Sequence, residues 1–185
     1  GTAGLPLPPA RPPVALAGLS GQAPLPGVLG EVTAALASEA VFSEAARSLL
    51  SPVRGCLVSH DMKWDNVVVR PDGTVVLLDW ELAGLGDPAV DLGFLLAEHL
   101  VRSDGAVTDA ARALLVGYAQ AAAPRPEVVG VLARRTALAA GLRIGQLAVE
   151  VAETHRDAVA PITDLARGVL RAVETLTAEV AACLS

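Results

Sequence analysis

Residues 67 to 78 read VVVRPDGTVVLL: two runs of β-branched and aliphatic residues around Pro71-Asp72-Gly73. Proline fixes φ, and glycine supplies a backbone conformation that a tight turn needs. The stretch predicts a β-hairpin of VVVR (67–70) and TVVLL (74–78). Little else in the chain alternates like a strand, apart from a short run at 56–59, CLVS, expected to be buried. Elsewhere apolar residues recur at helical spacing. Val28, Val32, Leu36 and Ala40 share one stripe, with Glu31 and Glu39 off it. Helices are expected over 28–50, broken near Ser43, and over 90–102, 107–122, 126–154 and 158–184. Breaks are expected at Ser103-Asp104-Gly105, Pro124 and Pro161. The fold class is α+β and mostly helical. Aromatic residues are 3% of the chain, so the core must be aliphatic.

A chain of 185 residues is long enough for one domain with a sizeable core. Residues 1–27 are rich in Pro and Gly and read as an extended leading segment, packed on the domain or recognised by a partner. Residues 28–185 form the domain. A net charge of −6 argues against nucleic-acid and anionic-membrane partners. No run reaches the roughly 18 apolar residues of a membrane span, and no signal-peptide pattern opens the chain. A cytoplasmic protein is expected. Cys56 and Cys183 belong to no metal-type pair and read as buried, reduced thiols.

The hairpin is flanked by chemistry. Before it stands His60-Asp61-Met62-Lys63-Trp64-Asp65-Asn66, which contains the only lysine of the chain. After it stands Asp79. Asn66 and Asp79 bound the two strands, and paired strands put such ends about 5 Å apart. Two hard oxygen ligands beside open space suit Mg²⁺ shared with substrate phosphates. Asp61 is placed to accept a proton from an attacking hydroxyl, and Lys63 to offset negative charge on a transferring phosphoryl group. Those are the parts of phosphoryl transfer. For any one residue, turn chemistry or a helix cap serves equally well as an explanation.

Asp61-Met62-Lys63-Trp64-Asp65-Asn66 resembles the D-x-K-x-x-N catalytic loop of protein kinases and the H-G-D-x-x-x-x-N loop of aminoglycoside phosphotransferases. VVLLDWELAGLGDPAVDLG (75–93) is similar to the metal-binding segment and following loop of the aminoglycoside phosphotransferase and choline kinase-like family. The resemblance implies a protein kinase-like C-terminal lobe with a catalytic β-hairpin. It implies Asp61 as catalytic base, Lys63 as phosphate contact, Asn66 and Asp79 as Mg²⁺ ligands, and ATP with Mg²⁺ as cofactors. Asp91 resembles the aspartate that braces the catalytic loop, a role compatible with capping the helix near 92. Asp87 reads as a turn residue and His60 as structural. Ser59 stands where the family usually has histidine. Trp64 packs the loop or meets an acceptor, and Asp65 takes backbone hydrogen bonds from the loop.

Residues 1–56 hold no Gly-rich strand–turn–strand and no lysine, so the resemblance covers the C-terminal lobe, with residues 1–27 holding part of an inter-lobe linker. An N-terminal lobe is then expected on another chain or removed. The chain is a natural half, a fragment, or a degenerate scaffold. The leading reading is a phosphotransferase acting on a hydroxyl. The acceptor is a small-molecule alcohol or aminoglycoside, or Ser/Thr of a precursor peptide. The latter follows a likeness to kinase-like proteins of ribosomal peptide (lanthipeptide-type) natural-product biosynthesis, with a biosynthetic enzyme as possible partner. The alternative is a non-catalytic lobe that binds a peptide or partner. Glu150, Glu153 and Asp157 read as a solvated helix face or as an acidic acceptor cleft. Arg143, Gln146 and Glu150 read as a polar surface stripe or an acceptor groove.

Overall fold

The computed structural model describes residues 25–50 and 55–185. Most of the leading segment, and the link at 51–54, lie outside the described residues. Seven helices and four three-residue strands are present among those described, so the fold is mostly helical α+β. In chain order they are α1 (Gly27–Ser38), α2 (Ala40–Leu50), β1 (Cys56–Val58), β2 (Val67–Val69), β3 (Val75–Leu77), β4 (Gly84–Gly86), α3 (Pro88–Arg102), α4 (Asp109–Ala122), α5 (Pro126–Val151), α6 (Arg156–Arg171) and α7 (Val173–Leu184).

The 26-residue α5 is the axis of the helical body. It packs on α3, α6 and α7, and also meets α1 and α2. Its buried face is built from small residues, with Ala133, Ala137 and Ala140 fully buried, while Leu96, Leu100, Leu142 and Ile144 fill the space between helices. Small side chains let α3 and α5 approach closely. A Cβ on Gly93 would lie 2.4 Å from the Ala139 Cβ and 2.7 Å from the Thr136 carbonyl oxygen. Gly93→Ala is therefore expected to destabilise the protein by about 1–3 kcal/mol, read as a lowered urea midpoint. An unchanged midpoint would show that the helices separate freely.

Helix boundaries follow local chemistry. Asp87 caps α3 by accepting from the Ala89 amide at 3.0 Å, with Pro88 in the first turn, where its missing N–H costs nothing. Thr108 caps α4 through the Ala111 amide at 3.3 Å. The breaks at Ser103–Gly105 and Pro124 fall where expected.

Others do not. The first helix breaks at Glu39 instead of Ser43. Ser43 bonds back to the Ala40 carbonyl at 3.2 Å and stays helical. Glu39 is extended (ψ 125°), and its two carboxylate oxygens meet Arg167 of α6, each at 2.8 Å. That contact lowers the Glu39 pKa. Pro161 lies inside α6, where burial of Ala166, Val169 and Leu170 outweighs one lost hydrogen bond. The expected 158–184 helix is two helices, offset at Ala172.

The strands form two separate antiparallel pairs. The predicted hairpin pairs Val67 with Leu77, Val68 with Val76 and Val69 with Val75. Its turn closes through Arg70 N to the Thr74 carbonyl (2.9 Å) and Gly73 N to the Arg70 carbonyl (2.9 Å). The second pair was not expected: β4 lies in the presumed loop and pairs Leu85 with Leu57 of β1. Glycines at 84 and 86 hide a strand from propensity. They also permit its close approach, since a Cβ on Gly55 would fall 2.0 Å from the Gly86 carbonyl oxygen. The strand at 56–58 is not a buried one: Val58 is buried, but Cys56 and Leu57 are exposed. Cys56 is thus an exposed free thiol, and Cys183 is half-buried, contrary to the expectation of two buried thiols.

Candidate active site

β1 delivers the chain into a sharp bend. His60 is buried yet has φ +62°, a left-handed conformation that non-glycine residues adopt at a cost. Asp91, in the first turn of α3, holds that bend. Its Oδ2 accepts from the Ser59 amide at 2.7 Å and its Oδ1 from the His60 amide at 2.9 Å. Burial pushes the Asp91 pKa up, and the two amide donors oppose that rise. The loop-bracing geometry expected of Asp91 is present, while capping falls to Asp87. The Ser59 hydroxyl accepts from the Asp61 amide at 3.3 Å.

Beyond the bend, Met62 is buried against Val90 and Phe94 of α3, in a small cluster separate from the main core. Residues 64–66 then make one 3₁₀ turn, and the Trp64 ring meets His99 edge-on at 5.4 Å. Burial lowers the His99 pKa. Asp65 is exposed.

This path gathers three of the four candidate side chains. Asp61 Oδ2 accepts from Lys63 Nζ at 2.8 Å and from Asn66 Nδ2 at 3.0 Å, and Asn66 Nδ2 also donates to the Asp61 carbonyl at 2.8 Å. The hydrogen bond to Asp61 raises the Lys63 pKa, so its charge is secure at neutral pH. Asp61 and Lys63 keep about a third of their side-chain surface exposed, at 28% and 33%. Asn66 is buried.

Asp79 stands apart. The Leu78 amide donates to the Asn66 carbonyl at 2.8 Å, so Leu78, not Asp79, lies opposite Asn66. Asp79 comes one residue later, is exposed, and turns the chain at φ +56°. The side-by-side placement expected of the two ends is therefore offset by one residue. The donor chemistry still fits Mg²⁺. Asn66 spends its NH₂ on Asp61, and its Oδ1 takes no hydrogen bond among the described residues. An amide oxygen and a carboxylate are hard donors, too few for a closed cage, which suits an ion that keeps water and phosphate ligands. Among the described residues no cluster of three or more His, Cys, Asp or Glu could hold a metal.

Two further features surround the site. Nine of the eleven exposed large hydrophobic residues described lie between Leu57 and Leu85, among them Val69, Val75, Leu78 and Trp80. Behind them a cavity of about 750 Å³ runs under β1 and β3, walled by Met62, Leu92, Leu95 and Tyr118. Arg135 of α5 pairs with Asp87 and donates to the Ser48 (2.8 Å) and Leu49 (2.9 Å) carbonyls, joining the end of α2 to the start of α3. The contributions of Ser59, Phe94 and Arg135 arise from tertiary contact and carry no motif of their own.

A family model, the phosphotransferase enzyme family (APH), matches residues 7–132. The match spans the bend, the hairpin and α3, and the chain belongs to this phosphotransferase family. No curated protein and no solved structure matches the chain. Among the described residues no helix is long and apolar enough to cross a membrane. The likeness to lanthipeptide-type enzymes gains no support from the family match.

Proposed function

We propose that residues 28–185 are the kinase-like catalytic lobe of an ATP- and Mg²⁺-dependent phosphotransferase acting on a hydroxyl. The observation that carries this is the Asp61–Lys63–Asn66 cluster, held on a strained bend by Asp91. Asp61 has one oxygen occupied by Lys63 and Asn66. Its other oxygen accepts the proton of the attacking hydroxyl. Asn66 Oδ1 and the Asp79 carboxylate would hold the metal. Mg·ATP, when bound, supplies the electrophilic phosphoryl group. Lys63 places its charge where negative charge builds during transfer. Asn66, by bonding to Asp61 through its NH₂, ties the metal side of the site to the base.

The exposed apolar face of the four strands supports a second part of the reading. Monomeric soluble proteins rarely leave large contiguous apolar patches uncovered. A nucleotide-binding lobe, on the same polypeptide or another, would cover this face. The acceptor is a small alcohol or amino alcohol, or a peptide Ser/Thr; the geometry favours neither.

The test is ADP formation from Mg·ATP by the natural polypeptide, against a panel of amino alcohols, aminoglycosides and Ser/Thr peptides. Acceptor-dependent ADP formation is expected, falling by about 10²-fold or more in Asp79→Asn. Formation that survives this change and ignores Mg²⁺ would refute the metal assignment. No formation with any acceptor would count against the enzyme reading.

A further inference from the structure

The catalytic loop lies along α3 and is held to it at three levels. Asp91 takes the Ser59 and His60 amides, Val90 and Phe94 bury Met62, and His99 meets Trp64. Asp91 and His99 are eight residues apart, about 12 Å along the helix. The last level carries the part of the loop between Lys63 and Asn66. The 3₁₀ turn there has no side-chain cap at Lys63, and its backbone bonds close within the turn: Asn66 N to the Lys63 carbonyl at 3.0 Å, and Val67 N to the Trp64 carbonyl. From outside, it is fixed by the Asn66–Asp61 bonds and by the Trp64 ring against His99.

That ring contact is sensitive to charge. The centroids lie 5.4 Å apart with the planes at 88°, an edge-to-face pairing favourable between neutral rings. Trp64 Nε1 and His99 Nε2 are both buried without a hydrogen-bond partner among the described residues. A proton on Nε2 would bury a charged N–H with no acceptor. Burial disfavours the charged imidazole most, Arg102 adds to this, and Glu98 opposes it. The place of His99 in the last turn of α3 also favours charge, through the helix dipole. In the loop, Lys63 and Asp61 pair at 2.8 Å, and Asp65 is exposed. On α5, Arg143 is buried over the Phe94 ring, 5.5 Å from the centroid, and pairs with Glu150 at 2.6 Å. The net effect is a lowered His99 pKa. The neutral contact is therefore complete above about pH 6.5, where an exposed imidazole titrates, and weakens as pH falls below it.

We propose that His99 is a positioning residue for the catalytic loop: its neutral imidazole clamps Trp64 and so holds Lys63 and Asn66 in place, and protonation of the ring releases them. This rests on the phosphotransferase reading for what Lys63 and Asn66 do. It gives phosphoryl transfer an acid-side loss that originates on α3, outside the reacting groups.

The test uses the full chain without nucleotide and follows two resonances from about pH 8 to about pH 5. One is the Trp64 indole N–H, told from that of Trp80 by Trp80→Phe; the other is the Asn66 side-chain amide. Both are expected to titrate together, with a midpoint below about 6.5. His99→Phe keeps the ring and cannot take a proton, so both resonances should stay constant in it. Hydrogen exchange of the Asn66 amide near pH 5 should be about threefold or more faster in the native protein than in His99→Phe. His99→Ala, which removes the ring, should loosen that amide at every pH. If phenylalanine crowds the site, His99→Gln gives the same uncharged comparison. In phosphoryl transfer, the acid-side loss of kcat should be smaller in the uncharged variant than in the native enzyme. Resonances that ignore pH, a titration that persists unchanged in the uncharged variants, or a Trp64 shift that leaves Asn66 unmoved would overturn the proposal. The last would mean that the two rings pack without positioning the loop. The resonances require no phosphoryl transfer, so a failed ADP assay leaves them readable, and their failure leaves ADP formation untouched.

Discussion

Asp61→Asn is expected to reduce phosphoryl transfer by about 10²- to 10⁴-fold, the range a positioned general base contributes. The substitution preserves shape and keeps an oxygen that can accept from Lys63 or Asn66. It removes the group that takes the acceptor proton. The loss should fall on kcat, with little change in the KM for ATP, since the nucleotide is held by other groups. Thermal stability should stay within a few degrees of native, because Asp61 is partly exposed and its ion pair with Lys63 is near the surface. A variant that transfers phosphate at a comparable rate would show that Asp61 only shapes the loop. A scaffold without catalysis would tolerate the change in its biological output.

Asp91→Ala is expected to act through the backbone and to be the more damaging to the fold. It strips acceptors from the Ser59 and His60 amides. Each buried donor left unpaired costs about 1–3 kcal/mol, so roughly 2–6 kcal/mol of stability should be lost. His60 would then relax from its left-handed conformation, moving Asp61 with it. Activity should fall even at temperatures where the variant remains folded. Urea denaturation gives the first quantity, and kcat at 10 °C the second. A small stability change with native activity would mean that Ser59 and His60 hold the bend by themselves. Asp91→Asn separates the two effects. An amide can accept from only one of the two amides without presenting an N–H to the other, so it should recover part of the stability and little of the activity.

Asp61 and Asp91 differ in how much of their setting is legible in the sequence. Asp61, Lys63 and Asn66 lie within six consecutive residues, and a single turn brings such neighbours together. The hairpin announces itself by alternation and by Pro71-Asp72-Gly73. The helical body is legible because aliphatic residues repeat at helical spacing. The missed features depend on partners distant in the chain. The break at Glu39 answers to Arg167, and β4 exists because β1 pairs with a glycine-bounded triplet. Arg143 gives no sign in sequence that it will be buried. Its spacing to Gln146 and Glu150 fits an exposed stripe equally well, and only the packing of Phe94 on Met62 shows where that stripe begins. The offset at Asp79 has a similar origin. Reading the second strand through Leu78 put the carboxylate opposite Asn66, whereas the pairing puts it one residue beyond.

In the proposed reaction, one end of this hairpin holds the metal of a nucleotide beside a carboxylate base. The most direct measurement replaces Mg²⁺ with paramagnetic Mn²⁺ and follows line broadening in the natural polypeptide on adding Mn·ATP. Selective broadening of the Asn66 side-chain amide and of the Leu78 and Asp79 backbone amides is expected, lost in Asp79→Ala. Broadening centred elsewhere, or none at these positions with nucleotide bound, would contradict it.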